Sequence, residues 1–240
     1  MRNTINRISQ ELKYGTYATY SLIGLNVIIF LLVNIVKSFF QGASEVEVAS
    51  VFGGTSTFQV IGSFEWWRLI TATFLQLDWW HILFNMIALY STGRFLENFY
   101  SSKKVFVVYI LTGVSGSLLS LLDTNAITYG ASGAVFGLIG LIVGNLLRKN
   151  TYSPGLPIKM SSLYPSLVWL VLSFGIGGIS FLGHLGGFLS GVVLGMIIET
   201  ANDFEFNTFK NRLINVLFII CVTLVILSFV SMFLNIFFNF

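Results

Sequence analysis

Charged side chains are scarce in this chain of 240 residues. Asp, Glu, Lys and Arg make up 10% of it, whereas soluble globular proteins carry about 25%. Apolar residues make up 55%, and the mean hydropathy is +0.83. This composition excludes a soluble domain and indicates a polytopic membrane protein, with the lipid bilayer as its first partner.

Cysteine and histidine are also rare, since the chain has one Cys and two His. A lone cysteine, Cys221, excludes an intrachain disulfide. A stable zinc site takes three or four protein ligands, so we expect no metal and no other cofactor. The ten carboxylates fall in loops or at the ends of apolar stretches. A small-solute or proton-coupled transporter, which would use ionisable groups within the membrane, is therefore a less favoured alternative.

Hydropathy predicts seven membrane-spanning helices of about 17 to 25 residues each. They cover approximately residues 17–39, 80–98, 104–122, 131–147, 163–179, 182–199 and 213–237. We therefore expect an all-α helical bundle in three parts. These are a cytoplasmic N-terminal segment at 1–16, a core of six helices at 17–200, and a cytoplasmic loop with a seventh helix at 201–240.

A long external segment at about 40–79 separates the first two spans and is rich in aromatic residues. It contains or adjoins four of the five tryptophans, together with Phe52, Phe58 and Phe64. Such residues are typical of the membrane interface, so the segment is predicted to lie partly in the bilayer. An aromatic belt that only anchors the bundle explains the composition equally well.

The basic residues predict the orientation in the membrane. Eleven of the 13 Lys and Arg lie at the N-terminus or in the loops after the second, fourth and sixth spans. By the positive-inside rule the N-terminus is cytoplasmic and the C-terminus is outside. The retained first span and the short N-terminus favour a prokaryotic cell membrane. No basic stripe indicates a nucleic-acid partner.

The fourth span opens with Ser132 in its first turn. Free backbone N–H groups and the positive end of the helix dipole lie there and would stabilise an oxyanion. Small residues continue along one side of this helix and would let another helix approach closely. They are Gly133, Gly137 and Gly140. On this segment alone, plain helix packing is as good an explanation.

The sixth span carries a matching stripe. His184, Gly187 and Gly191 stand at spacings of three and seven residues, which places them on one helix face. This face is the natural partner for the glycines that follow Ser132.

The second span carries His81 and Asn85 near its start. Their spacing of four residues puts both on one helix face, and both side chains can donate hydrogen bonds. Polar groups within a membrane are costly and typical of functional sites. The alternative is that His81 only reaches interfacial water.

The second, fourth and sixth spans run in the same direction, so His81, Ser132 and His184 are predicted at one membrane depth, near the outer face. A serine beside a neutral histidine is an activated nucleophile. Because no carboxylate falls within a span at this depth, we expect a Ser132–His184 dyad. The Ser132 backbone N–H, His81 and Asn85 would stabilise the oxyanion.

These motifs together resemble the rhomboid family of intramembrane serine proteases. They are His81-x-x-x-Asn85, Gly130-Ala131-Ser132-Gly133, Gly183-His184-x-x-Gly187-x-x-x-Gly191, Trp67-Arg68 and Gly93-x-x-x-Glu97. The resemblance implies that Ser132 is the nucleophile, His184 the base, and His81 and Asn85 oxyanion donors. It also implies single-pass transmembrane substrates that are cleaved near their outer end, and it names the first loop and the fifth span as the elements that admit substrate laterally.

Two features depart from the family pattern. Some members have a tyrosine that stacks on the catalytic histidine, where this chain has Phe136, which can stack but offers no hydroxyl. The seventh helix makes this a six-plus-one arrangement. A non-catalytic rhomboid-like adaptor that binds transmembrane helices is the main alternative. It would be expected to lack Ser132 or His184, and this chain has both.

Overall fold

The computed structural model describes residues 16–39, 42–148, 156–175, 179–200 and 208–239, which form an all-α bundle. The α-helices are α1 (Tyr17–Phe39), α2 (Glu45–Val51), α3 (Arg68–Thr71), α4 (Trp79–Glu97), α5 (Ser102–Ser120), α6 (Ser132–Arg148), α7 (Tyr164–Leu172), α8 (Phe181–Ile197) and α9 (Thr208–Asn239). Short 3₁₀ or π turns lie at Phe58–Gly62, Ala72–Phe74, Met160–Leu163 and Ser173–Gly175.

A helix stands at each of the seven predicted spans, namely α1 and α4 to α9. Three described helices are long and apolar enough to cross a membrane: Tyr17–Phe39, Ser102–Ser120 and Asn211–Phe238. The apolar helices Ser132–Arg148, Met160–Leu172 and Phe181–Ile197 are shorter. The all-α fold is therefore confirmed, whereas the count of six spans plus one stays a prediction.

The predicted division into three parts also stays a prediction. Of its N-terminal segment only Thr16 is described, and residues 201–207 of its C-terminal part lie outside the described residues. The basic residues Arg2, Arg7, Lys13 and Lys149, on which the orientation partly rests, lie outside them as well.

The centre of the bundle is α6. Every residue from Ala134 to Asn145 is buried, because α4, α5 and α8 pack around this helix. The outer helices α1 and α9 instead expose long apolar side chains, as expected for surfaces that face lipid.

Helices α6 and α8 meet backbone to backbone. A Cβ atom on Gly187 would overlap the carbonyl of Gly133, and one on Gly191 would overlap the carbonyl of Gly137. A Cβ on Gly140 would in turn overlap the α8 backbone. The two glycine faces expected from their spacing are thus in contact, and only glycine permits this approach.

Gly137 has a second role that its spacing did not indicate. The space where its side chain would lie is filled by Thr112 of α5. Its missing side chain therefore makes room for α5, while its carbonyl faces α8. Helix α6 is packed closely on two sides.

The fifth predicted span differs from the expected continuous helix over 163–179. The chain forms a 3₁₀ turn at Met160–Leu163, the α-helix α7, and a second 3₁₀ turn at Ser173–Gly175. Pro165 lies in the first turn of α7, where a missing N–H is tolerated. Gly177 and Gly178 of the predicted span lie outside the described residues.

The long segment between α1 and α4 is folded against the bundle. Helix α2 starts with a capping box in which Ser44 and Glu47 bind each other's backbone N–H. Arg68 donates to the carbonyls of Ser50 (2.6 Å) and Gly54 (3.2 Å) and pairs with Glu65. Burial lowers the pKa of Arg68, and the hydrogen bond and negative charge of Glu65 partly offset this lowering.

The aromatic residues of this segment divide into two groups. Phe58, Phe64 and Trp66 are exposed, as the predicted contact with the membrane interface requires. Phe52 is buried in a small core with α1 residues, so its assignment to the interfacial group was wrong. Composition could not separate them, because both groups are equally apolar.

Glu97 at the end of α4 is fully buried. Its carboxylate accepts from the backbone N–H groups of Ala18 (3.0 Å) and Thr19 (3.1 Å) and from the Thr19 hydroxyl. It therefore caps the N-terminus of α1 across the bundle.

Candidate active site

The structure brings Ser132 and His184 into direct contact. Ser132 is the first residue of α6, and His184 lies one turn into α8, whose N-cap Ser180 accepts from the Gly183 N–H at 3.1 Å. The distance from Ser132 Oγ to His184 Nε2 is 2.7 Å. This is hydrogen-bond distance between a hydroxyl and the nitrogen that would take its proton.

Glycine packing holds this pair together. Next to the serine, a Cβ on Gly133 would lie 3.2 Å from the Gly183 carbonyl, which precedes His184. Gly116 of α5 approaches the same carbonyl. The backbones on either side of the Ser132–His184 hydrogen bond therefore have little room to shift.

Phe136 contacts the histidine ring. The two ring centroids are 4.7 Å apart, and the planes are tilted by 41°. His184 is 5% exposed, and within the described part of the chain its Nδ1 has no hydrogen-bond partner. Packing therefore positions the histidine ring. In a catalytic triad, a carboxylate bound to Nδ1 would do this instead.

His81 and Asn85 converge on the segment that leads into Ser132. A Cβ built on Gly130 would lie 2.7 Å from His81 Cε1 and Nε2, and 3.8 Å from Asn85 Nδ2. Gly130 has φ +120°, a conformation that favours glycine. The glycine therefore allows His81 to approach the backbone two residues before the serine, and Asn85 lies in van der Waals contact with the same position.

The first loop supports this segment from the other side. Thr55 and Thr128 exchange two backbone hydrogen bonds of 2.8 Å, and the Gly130 N–H donates to the Ala72 carbonyl at 2.8 Å. The ring of Tyr129 lies 5.9 Å from that of His81, and burial raises the pKa of this tyrosine. The long segment between α1 and α4 thus positions the residues that precede Ser132.

Three further residues of the site had not been predicted. Asp78 caps α4 by accepting from the His81 N–H at 2.8 Å, and its carboxylate is 3.9 Å from His81 Nδ1. Gln76 accepts from Asn85, and Asn26 of α1 contacts Gln76. The N-cap position of Asp78 before α4 is a signal that could have predicted it. Gln76 and Asn26 are far apart in the sequence, and no spacing pattern connects them.

No metal site accompanies this arrangement in the described ranges, where no three His, Cys, Asp or Glu side chains come together. Cys221 is buried in α9. The site offers a hydroxyl, an imidazole beside it, and hydrogen-bond donors around the start of a helix. This set can carry out acyl transfer by nucleophilic catalysis.

Comparisons with known proteins give a consistent result. The Rhomboid domain family profile matches residues 63–201. The chain is 30% identical over 173 residues to "Rhomboid protease GluP" of Bacillus subtilis, covering 72% of this chain and 33% of that protein. It is 34% identical over 164 residues to "RHOMBOID-like protein 1" of Arabidopsis thaliana, covering 67% and 41%.

A third relative is "Rhomboid-like protease 3" of Toxoplasma gondii, which is 33% identical over 151 residues, covering 59% of this chain and 55% of that protein. The chain thus spans about a third to a little over half of the length of these relatives. The matched region includes His81, Asn85, Ser132 and His184. Because the family profile covers more than half of the sequence, the chain belongs to the rhomboid family.

Proposed function

We propose that this protein is an intramembrane serine protease that cleaves transmembrane substrates with a Ser132–His184 dyad. The observation that carries the proposal is the 2.7 Å distance between Ser132 Oγ and His184 Nε2. The rhomboid membership of the chain and its relatives that are named proteases support it.

The first step forms an acyl-enzyme. Ser132 Oγ attacks the carbonyl carbon of the scissile peptide bond, and its proton moves to His184 Nε2. When the tetrahedral intermediate collapses, the C–N bond breaks and His184 gives the proton to the leaving amine. A water then attacks the acyl group and loses its proton to His184, which returns it to Ser132 as the new carboxyl terminus leaves.

The oxyanion would lie at the start of α6. The Ser132 backbone N–H is free of intrahelical partners at this position, and Asn85 Nδ2 and His81 Nε2 lie beside the preceding residues. Removing one such donor typically costs about 10²- to 10³-fold in kcat.

The substrate class follows from the position of the site. Rhomboid proteins act within the bilayer, and the dyad of this chain lies at the ends of two apolar helices. We propose single-pass transmembrane proteins as partners. A peptide bond in an intact helix is shielded and its carbonyl is already hydrogen-bonded, so cleavage requires a segment that unwinds near its outer end.

Orientation and origin belong to the proposal as well. The distribution of basic residues supports a cytoplasmic N-terminus and an external C-terminus. The prokaryotic membrane expected from the sequence stays a prediction, because the named relatives come from a bacterium, a plant and Toxoplasma.

The test is cleavage of a single-helix substrate in liposomes. We expect turnover by the wild type and at least about 10³-fold less by Ser132→Ala and by His184→Ala, because each removes a member of the dyad. The matched control is Ser120→Ala. Ser120 is a buried serine of α5. Its hydroxyl donates to its own helix at the Ser117 carbonyl (2.8 Å), and its loss should leave turnover unchanged.

Two results would contradict the proposal. Wild-type turnover by His184→Ala would show that His184 is not the base, and the proposed dyad would be wrong. A folded wild type that binds single-helix proteins and cleaves none of them would favour the adaptor.

A further inference from the structure

Asn85 is the last member of a buried chain of side-chain amides. Asn85 Nδ2 donates to Gln76 Oε1 at 2.9 Å, and Gln76 Nε2 donates to Asn26 Oδ1 at 3.3 Å. Gln76 and Asn26 are fully buried, and Asn85 is 7% exposed. These hydrogen bonds link α4 to α1 through the end of the first loop.

The orientation of the Asn26 amide, at the far end of this series, is fixed by backbone carbonyls, which can only accept hydrogen bonds. Asn26 Nδ2 donates to the Leu22 carbonyl at 2.9 Å and to the Tyr109 hydroxyl at 3.3 Å. That hydroxyl lies 3.4 Å from the Thr73 carbonyl, to which it donates. Because a carbonyl can only accept, the NH₂ group of Asn26 must face Leu22.

Each amide then sets the orientation of the next. Because the NH₂ group of Asn26 faces Leu22, its oxygen faces Gln76. Gln76 must therefore donate to this oxygen with its own NH₂ group. Gln76 therefore presents its oxygen to Asn85, and Asn85 must present Nδ2. A rotated Asn85 would place two oxygens against each other in a buried site, which is costly.

This orientation matters because the same nitrogen faces the site. An amide NH₂ group has two N–H bonds. One is used by Gln76, and the nitrogen lies 3.8 Å from the position of a Cβ on Gly130. Gln76 does not use the second N–H, and the nitrogen that carries it lies beside the segment that leads into Ser132, where a carbonyl oxygen would be repelled by an oxyanion.

We propose that Gln76 and Asn26 are positioning residues that hold the Asn85 amide with its NH₂ group toward the oxyanion. The inference rests on the proposed protease function, which makes Asn85 an oxyanion donor. The effect of Gln76 on turnover passes through Asn85 alone. Loss of Gln76 should lower kcat and leave KM unchanged, because the ground-state carbonyl gains less from this donor than the transition state does.

The experiment is a double-mutant cycle of Gln76→Met and Asn85→Ala with the single-helix substrate in liposomes. Methionine is unbranched and of similar volume, so it fills the space of Gln76 without its hydrogen bonds. We expect Gln76→Met to lower kcat about tenfold in the wild-type background. In the Asn85→Ala background the same substitution should change kcat less than twofold.

Two variants separate positioning from stability. Asn145→Leu removes a buried amide of α6 that accepts from the Leu156 N–H at 2.9 Å, far along the helix from Ser132, and should leave kcat unchanged per folded molecule. Gln76→Glu should retain kcat within about threefold. A carboxyl buried among amides favours its neutral form, whose O–H can donate to Asn26 while its C=O accepts from Asn85.

The outcomes are distinct. Equal losses from Gln76→Met in both backgrounds, or a loss confined to KM, would overturn the inference while the protease function stands. If Gln76→Met does not fold, a loss by Gln76→Glu as large as that of Asn85→Ala would overturn it too. A wild type without turnover would contradict the proposed function itself.

Discussion

The α6–α8 interface and the helix α7 are opposite solutions to packing in this protein. The buried residues of α8 are five glycines and His184, so its backbone lies directly on that of α6. Helix α7 has one buried residue, Leu170, and exposes most of its apolar side chains. One helix is held along its whole length, the other at one point.

The α6–α8 contact is where this protein keeps its geometry fixed. A hydrogen bond of 2.7 Å between two helices survives only if neither helix can slide, and glycine contacts allow less adjustment than side chains that can change rotamer. Helix α7 carries no proposed catalytic residue and is freer to move. The expectation from the rhomboid resemblance that the first loop and the fifth span admit substrate stays a prediction.

Among substitutions that compare α8 with α7, the largest effect should come from Gly191→Ala. The added methyl group would overlap the Gly137 carbonyl and force α8 away from α6. Overpacking costs about 1–3 kcal/mol, and a displacement of about 1 Å at a catalytic pair can cost about 10²-fold in rate. Thermal unfolding in detergent and cleavage kinetics would measure both.

The matched control for this prediction is Gly24→Ala. A Cβ on Gly24 of α1 meets no atom within 4 Å among the described residues, so the same substitution should leave activity and stability intact. Equal losses from the two variants would show that the α6–α8 contact is not special.

A smaller effect on activity is expected from Leu170→Ala. Leu170 is 6% exposed and is the point at which α7 is held. Leu→Ala at a buried site costs about 2 kcal/mol or more, so the unfolding temperature should fall. The Ser132–His184 pair should be unaffected, and its reaction rate with a small serine-directed probe should stay at the wild-type value. A large fall in that rate would mean that α7 also supports the dyad.

The smallest effect is expected from Val168→Ala on the same helix. Val168 is 55% exposed, and substitutions at such positions usually change stability by less than about 0.5 kcal/mol. The unfolding temperatures of the two α7 variants, measured side by side, would check the contrast. A loss as large as that of Leu170→Ala would show a packed face on α7 that the structure does not have.

The sequence predicted the contact between Ser132 and His184 because helix periodicity carries that information. The spacing of Gly187 and Gly191 after His184 identified the face of α8 that meets α6. The common direction of three spans placed His81, Ser132 and His184 at one depth. These are regular properties of helices, and they need no knowledge of loops.

Contacts without periodicity were not predictable in this way. Gln76 meets Asn26 across 50 positions and Glu97 caps α1 across 79, and neither spacing has a helical or strand pattern. The fifth predicted span is divided by the local 3₁₀ turns on either side of α7. Tertiary contacts determine the conformation of loops and the pairing of buried amides, and hydropathy carries no information about such contacts.

The most direct test of the central claim is labelling of the detergent-solubilised protein with a fluorophosphonate probe, followed by mass spectrometry of the adduct. We expect one adduct on Ser132 in the wild type, no adduct in Ser132→Ala, and labelling reduced by about 10³-fold in His184→Ala. An adduct on another residue, or wild-type labelling of His184→Ala, would contradict it.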